Sequence, residues 1–255
     1  MGNIERQTSR VTLVTGAASG IGLGVARRFA RNGHRVAMLD RSAEAVRAAS
    51  EELNGEGCQT LCFAVDVSER AEVAAAIAAA RQEFGPIEVA IPCAGISEYV
   101  PFTEMSVPAW QRMLDINRTG MFHCLQLVIP DMLAASWGRI VTISSMSAQV
   151  GGPAMAHYSA SKGGVTSLTK ALAREFAGKG ITANTIPPSI IETGLSRRGE
   201  DEQGRNPRIE AIIAQVPVGR IGLPEDIAAA CVWLCSNDAG FVTGQEINVN
   251  GGMYS

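Results

Sequence analysis

The chain has 255 residues, 46% of them hydrophobic and 18% charged, enough apolar material for the core of one α/β domain. Its net charge of −3 supplies no positive field for gathering phosphate backbones, so nucleic acid is not an expected partner. No apolar run approaches the roughly 20 residues of a spanning helix, and the polar stretch 1–10 lacks the apolar centre of a signal peptide, so a soluble, cytoplasmic protein with no membrane partner is expected.

Short β-branched runs alternate with longer Ala-rich ones along the chain. Residues 11–15 read as a strand, followed by a glycine cluster and a helix over 21–32. A strand at 35–40, a helix at 43–53, a strand at 59–65 and a helix at 69–84 continue the alternation. Strands at 87–92 and 139–144 flank one long helix over about 107–135. A helix over 157–178, a strand at 181–186, a helix at 224–236 and a short strand at 247–249 complete it. Continuous apolar strands alternating with helices imply a parallel sheet covered on both faces, and right-handed crossovers make it doubly wound. The expectation is one α/β domain over 1–255 with a seven-stranded sheet. Within it, the irregular segment at about 188–217, rich in Gly, Pro and charge, reads as a substrate lid. Six cysteines occur without a C-x-x-C spacing, which fits reduced core thiols and no metal site.

Two motifs carry chemistry. Thr15-Gly16-Ala17-Ala18-Ser19-Gly20-Ile21-Gly22 lies between a strand and a helix, where glycines let a pyrophosphate approach the free N–H groups of the helix start. An ordinary tight turn has the same glycines, and the spacing is not G-x-G-x-x-G. Asp40, ending the second strand, can accept hydrogen bonds from the adenosine ribose and would repel a 2′-phosphate, favouring NAD over NADP. Arg41 beside it could bind that phosphate, and Asp40 can also be read as a helix-start residue. Asp66-Val67, at the end of the third strand, lie at the same edge and could contact adenine.

The second motif is Tyr158 with Lys162, four residues apart and so on one helical face, and Ser145 thirteen residues before the tyrosine. A phenol is a poor base at neutral pH, and a nearby ammonium is expected to lower its pKa so that it can exchange a proton with substrate. Ser145 would steady the substrate oxygen at the carboxyl end of its strand, with Ser144 and Ser147 as rivals. Asn117, an amide inside a helix, implies a specific partner. His157 reads as helix-start filler, since adjacent helical residues face different ways.

These residues, in this order over nearly the whole chain, resemble the short-chain dehydrogenase/reductase family of single-domain Rossmann-fold oxidoreductases. The resemblance implies an Asn117, Ser145, Tyr158, Lys162 tetrad, with the lysine also on the nicotinamide ribose and the asparagine holding a water of a proton relay. It places Gly16, Ser19, Gly20, Ile21 and Gly22 on the cofactor, with Pro188, Ser189, Ile191 and Thr193 around the nicotinamide carboxamide. Pro92-Cys93-Ala94-Gly95 stands where the family has N-N-A-G, so Cys93, Ala94 and Gly95 are expected to border the cofactor. Ser189 replaces a family glycine and Asn250 a frequent aspartate, and the C-terminal strand implies a homotetramer.

The expected function is hydride transfer between NAD(H) and a secondary alcohol or ketone, a small molecule met by a moderately apolar pocket that includes residues 96–102, Gln149, Val150 and Met155. A 3-oxoacyl thioester reductase is the alternative within the enzymes. A dinucleotide-sensing protein without turnover is the alternative outside them.

Overall fold

Strand β1 (Val11–Thr15) lies near the middle of an all-parallel sheet, with β2 (Arg35–Asp40) and β3 (Gln59–Ala64) to one side. On its other side follow β4 (Val89–Pro92), β5 (Gly138–Ile143) and β6 (Ile181–Ile186), giving the order β3-β2-β1-β4-β5-β6. The structure, a computed structural model, describes residues 9–193 and 207–254. Every residue of β1, β5 and β6 is buried, as continuous β-branched runs require when helices cover both faces.

One face is covered by α1 (Gly20–Arg31), α2 (Ala43–Gly55) and α9 (Pro224–Leu234), whose Phe29, Leu53 and Ile227 join Val14, Met38 and Ile91 in one core. The other is covered by α3 (Arg70–Phe84), α5 (Gly120–Ala135) and α7 (Ala156–Phe176), with Ile77, Leu125 and Val165 against Leu13 and Leu39. Each such fully buried side chain contributes roughly 2 kcal/mol. Strand order reverses between β1 and β4, which opens a crevice at the carboxyl ends of the strands.

Two expectations change, and a third falls partly outside the described residues. The described residues form six strands rather than seven: the segment around Glu246 makes a single bridge to Thr185. Gly244, Gln245 and Ile247 exchange backbone hydrogen bonds with Ala183 and Thr185 at 2.7–2.9 Å, and the residue just after β6 that faces that edge is Pro187, which has no N–H to continue the ladder. The long helix over 107–135 is α4 (Val107–Leu114), a π-helical turn at Asp115–Thr119, and α5. The lid expected at 188–217 falls partly outside the described residues, at 194–206, while α8 (Pro207–Ile213) occupies part of the remainder.

Candidate active site

The crevice begins at the glycine loop between β1 and α1. Gly16 has φ +64°, and a Cβ there would lie 2.9 Å from the Ala94 Cα, so the loop and the segment after β4 touch backbone to backbone. A Cβ on Gly22 would sit 2.1 Å from the Gly16 carbonyl oxygen, which makes glycine obligatory where α1 packs on the loop. Gly20, at φ +52°, approaches the Thr193 methyl group. Ser19 precedes the helix in extended conformation, its side chain making no cap bond, and Ile21 is half-buried on the first turn. This cradle of close-packed backbone at a helix start suits a pyrophosphate. Thr15, which the sequence reading had not singled out, braces it by accepting the Ala94 N–H at 3.0 Å.

Asp40 is locked in place. One carboxylate oxygen accepts the Ala18 N–H at 3.0 Å and the other the Ser42 N–H at 2.9 Å, leaving lone pairs on both for a ribose hydroxyl. Asp66 accepts from the Ser68 hydroxyl at 2.6 Å and the Ser68 N–H at 2.9 Å, and these bonds hold its carboxyl below the usual range against the effect of burial. Arg41 and Arg112 add to that lowering, which places both guanidinium groups in the field of Asp66. Val67 is buried against Gly120, where a Cβ would come within 2.7 Å of it. Cys93 is half-buried and packs on the core that includes α9, and burial pushes its thiol up to about 12.

At the other end of the crevice the three candidate serines have different surroundings. Ser144 faces inward, donating to the Lys162 carbonyl and bonding Thr166 Oγ1 at 2.9 Å. Ser145, one residue further, turns to the crevice. Its Oγ accepts from the Ser147 N–H and hydroxyl at 3.1 and 3.0 Å, and Ser145 acts to lower the pKa of the Tyr158 phenol. Ser147 therefore supports Ser145 rather than replacing it.

Lys162 lies one turn along α7 from Tyr158, 4% exposed, its Nζ donating to the Ile143 carbonyl at 2.9 Å and standing 5.9 Å from the Tyr158 ring centre. Burial lowers its pKa to about 8, with Cys93 acting weakly in the opposite direction. The expected lowering of the phenol is not what this arrangement produces. Burial raises Tyr158 above its ordinary value, the bond to Ser145 opposes the rise, and Tyr99 adds to it. The ammonium is turned toward the strand-end carbonyl and does not offset desolvation.

Asn117 is completely buried in the π-helical turn. Its Oδ1 accepts the Ile96 N–H at 2.8 Å, and its Nδ2 donates to the Ile96 carbonyl at 2.9 Å and to Ser161 Oγ at 3.1 Å. Ser161 in turn donates to the Tyr158 carbonyl at 2.7 Å, a connection the sequence reading missed although a hydroxyl next to Lys162 in the Tyr158 helix was its visible signal. Gly95 passes so close that a Cβ would lie 3.1 Å from Asn117 Oδ1 and 3.5 Å from Lys162 Nζ. His157 is fully buried, with no hydrogen-bond partner for either ring nitrogen among the described residues.

The segment after β6 closes the crevice. Pro188 accepts the Met146 N–H at 2.9 Å, Ser189 donates to the Asn250 carbonyl at 3.1 Å, and Ile191 bridges Gly222. Ser189 is not among the described residues of positive φ, so the backbone does not demand glycine there. Asn250 ties the C-terminal turn, donating to the Tyr254 carbonyl and accepting the Gly252 N–H.

A family model described as enoyl-(acyl carrier protein) reductase matches residues 16–254. The chain is 38% identical over 247 residues to D-threitol dehydrogenase of Mycolicibacterium smegmatis, covering 97% of this chain and 94% of that protein. It is 36% identical to 3-oxoacyl-(acyl-carrier-protein) reductase of Staphylococcus aureus, covering 96% of this chain and 98% of that protein. Among solved structures, an actinorhodin polyketide ketoreductase variant with NADPH superposes with a TM-score of 0.91 at 36% identity, covering 96% of this chain and 97% of that one.

Proposed function

The chain belongs to the short-chain dehydrogenase/reductase family of oxidoreductases, and from that premise we propose that Asn117, Ser145, Tyr158 and Lys162 interconvert a secondary alcohol and a ketone with NAD(H). The observation that carries the reading is the buried Lys162 one helical turn from Tyr158, its Nζ 5.9 Å from the ring centre of that tyrosine. The coenzyme supplies or accepts the hydride at the carbonyl carbon. Ser145 and Tyr158 hold the carbonyl oxygen from two directions. During reduction the Tyr158 phenol gives its proton to that oxygen, and during oxidation the phenolate takes one back. Lys162 steadies the negative charge left on the phenolate, while Asn117 acts by fixing Ile96 and, through Ser161, the first turn of α7.

A phenol raised by burial is protonated at neutral pH, so ketone reduction should hold up at low pH and fall as Tyr158 ionises, while alcohol oxidation rises with pH. In Tyr158→Phe, NADH binding followed by fluorescence should persist, whereas turnover should fall by roughly 100-fold or more. Near-native turnover would remove the tyrosine from the chemistry.

For the coenzyme, the anchored carboxylate of Asp40 supports NAD, because two backbone N–H groups hold it where a 2′-phosphate would lie. Arg41 and the NADPH of the ketoreductase speak for the other choice. Native protein should show the higher kcat/KM with NADH, and Asp40→Ala should gain activity with NADPH. Equal rates with both coenzymes in native protein would refute the preference.

The resemblance to 3-oxoacyl reductase keeps an acyl thioester as the second reading for the substrate, and acetoacetyl-CoA set beside simple alcohols separates the two. A cytoplasmic homotetramer is part of the proposal. Exposed Phe122, Trp233 and Phe241 offer apolar surface for subunit burial, and a light-scattering mass of one chain would count against it.

A further inference from the structure

A serine hydroxyl has two lone pairs and one hydrogen. Both lone pairs of Ser145 are taken by one neighbour, Ser147, whose N–H and hydroxyl donate to its Oγ at 3.1 and 3.0 Å. What Ser145 retains is its own hydrogen, so toward a ligand it can donate and not accept. A serine with a vacant lone pair can turn either way. It can then accept the phenolic proton that reduction requires at the substrate oxygen. Ser145 acts on the Tyr158 phenol in the direction of a donor, lowering its pKa.

Ser147 is itself held in place. It opens a short helix, α6 (Ser147–Val150), and like Ser145 it is half-buried. Met146, just before it, donates its N–H to the carbonyl of Pro188 at 2.9 Å. Gln149 of α6 donates to Glu246 Oε2 at 3.2 Å and to Asn248 Oδ1 at 3.0 Å, and Glu246 pairs with Lys170 of α7 at 2.6 Å. The turn that carries Ser147 is therefore tied to the segment after β6, to the C-terminal segment and, through Glu246, to the helix of Tyr158.

We propose that Ser147 is a positioning residue: its hydroxyl fills the last acceptor site of Ser145, fixing Ser145 as a donor to the substrate oxygen and reserving the Tyr158 proton for that oxygen. A hydroxyl whose oxygen accepts two hydrogen bonds is also a more polarised donor. That gain is largest where the substrate oxygen carries most charge, in the transition state, so it falls on kcat rather than on KM. The assignment rests on the redox reading above, and its test separates the two.

Native protein, Ser147→Ala and Ser147→Thr are compared with NADH and NADPH on butan-2-one, ethyl acetoacetate and acetoacetyl-CoA. Ser147→Ala should lose roughly 3- to 10-fold in kcat, the range of one neutral hydrogen bond, with KM, NADH binding by fluorescence and melting temperature kept. Ser147→Thr, which restores the hydroxyl, should recover kcat to within about 2-fold of native. In Ser145→Ala, its residual rate read at high protein concentration, adding Ser147→Ala should change kcat by less than about 2-fold, because the hydroxyl then has nothing to act on. Native kcat in Ser147→Ala overturns the assignment, as does a loss that comes with a raised KM or a lowered melting temperature. A loss that Ser147→Thr leaves unrecovered, or a further loss on the Ser145→Ala background, overturns it too. Native protein inactive on all three compounds and on their alcohols would instead bring down the redox reading, and Ser147 with it.

Discussion

Lys162 is a cation almost wholly removed from water, and its hydrogen bond goes to a carbonyl oxygen. Its pKa falls from 10.5 to about 8, a shift worth roughly 3 kcal/mol. The sign follows from proton counting. Between about pH 8 and 10.5 the unfolded chain keeps a proton that the folded one has shed, so this burden weighs fully below pH 8 and lifts as pH rises to 10.5. Lys162→Met should therefore melt at a higher temperature than native protein at pH 7, with the gap narrowing toward pH 10, and should lose turnover. The lost bond to Ile143 offsets about 1 kcal/mol of the gain. Calorimetry at the two pH values tests it, and a lower melting temperature at pH 7 would show that the buried ammonium stabilises the fold. The buried ammonium is a stability cost, and the role proposed for Lys162 would account for its retention.

At the scale of elements, the π-helical turn shows where patterns along the chain stop being informative. Apolar periodicity runs through 107–135 and correctly predicts helix, yet the widened turn at Asp115–Thr119 is set by the bond from Asn117 to Ile96, 21 residues away in sequence. No local signal encodes a partner that distant. The same holds for Ser144 and Ser145, equivalent in the sequence and opposite in the structure, because the chain turns one to Lys162 and Thr166 and the other to Ser147. Strands β2 and β6, bounded by turn residues and glycines, were legible to the residue. The missing seventh strand was legible too, had Pro187 been given its proper weight. Asn117→Leu should destabilise the protein by roughly 1–2 kcal/mol, since it strips the partly buried Ile96 backbone of both partners. In urea unfolding its midpoint should fall, and an unchanged midpoint would mean that Ile96 finds other partners.

Across the whole molecule, the two ends of the sheet are built differently. At the amino ends of the strands, the guanidinium groups of Arg10 and Arg139 both stack over Trp137, 4.0 and 4.4 Å from its ring centre. Arg139 there bonds the carbonyls of Ser236, Gly138 and Gly180, and Arg10 pairs with Glu88. The carboxyl ends carry the glycine loop, Asp40, Ser145 and the Tyr158 helix, and there two prolines interrupt the backbone ladders. Pro92 lacks the N–H that would continue β4 along β5, whose pairing stops at Ala90↔Ile140, and Pro187 does the same to the segment beyond β6. Side chains such as Asn117, Ser189 and Asn184 complete the connections that the main chain leaves unmade. Such contacts open more readily than a continuous ladder. On warming, catalysis should fade several degrees before far-ultraviolet circular dichroism registers any loss of helix, and cooling from that interval should restore full rate without refolding.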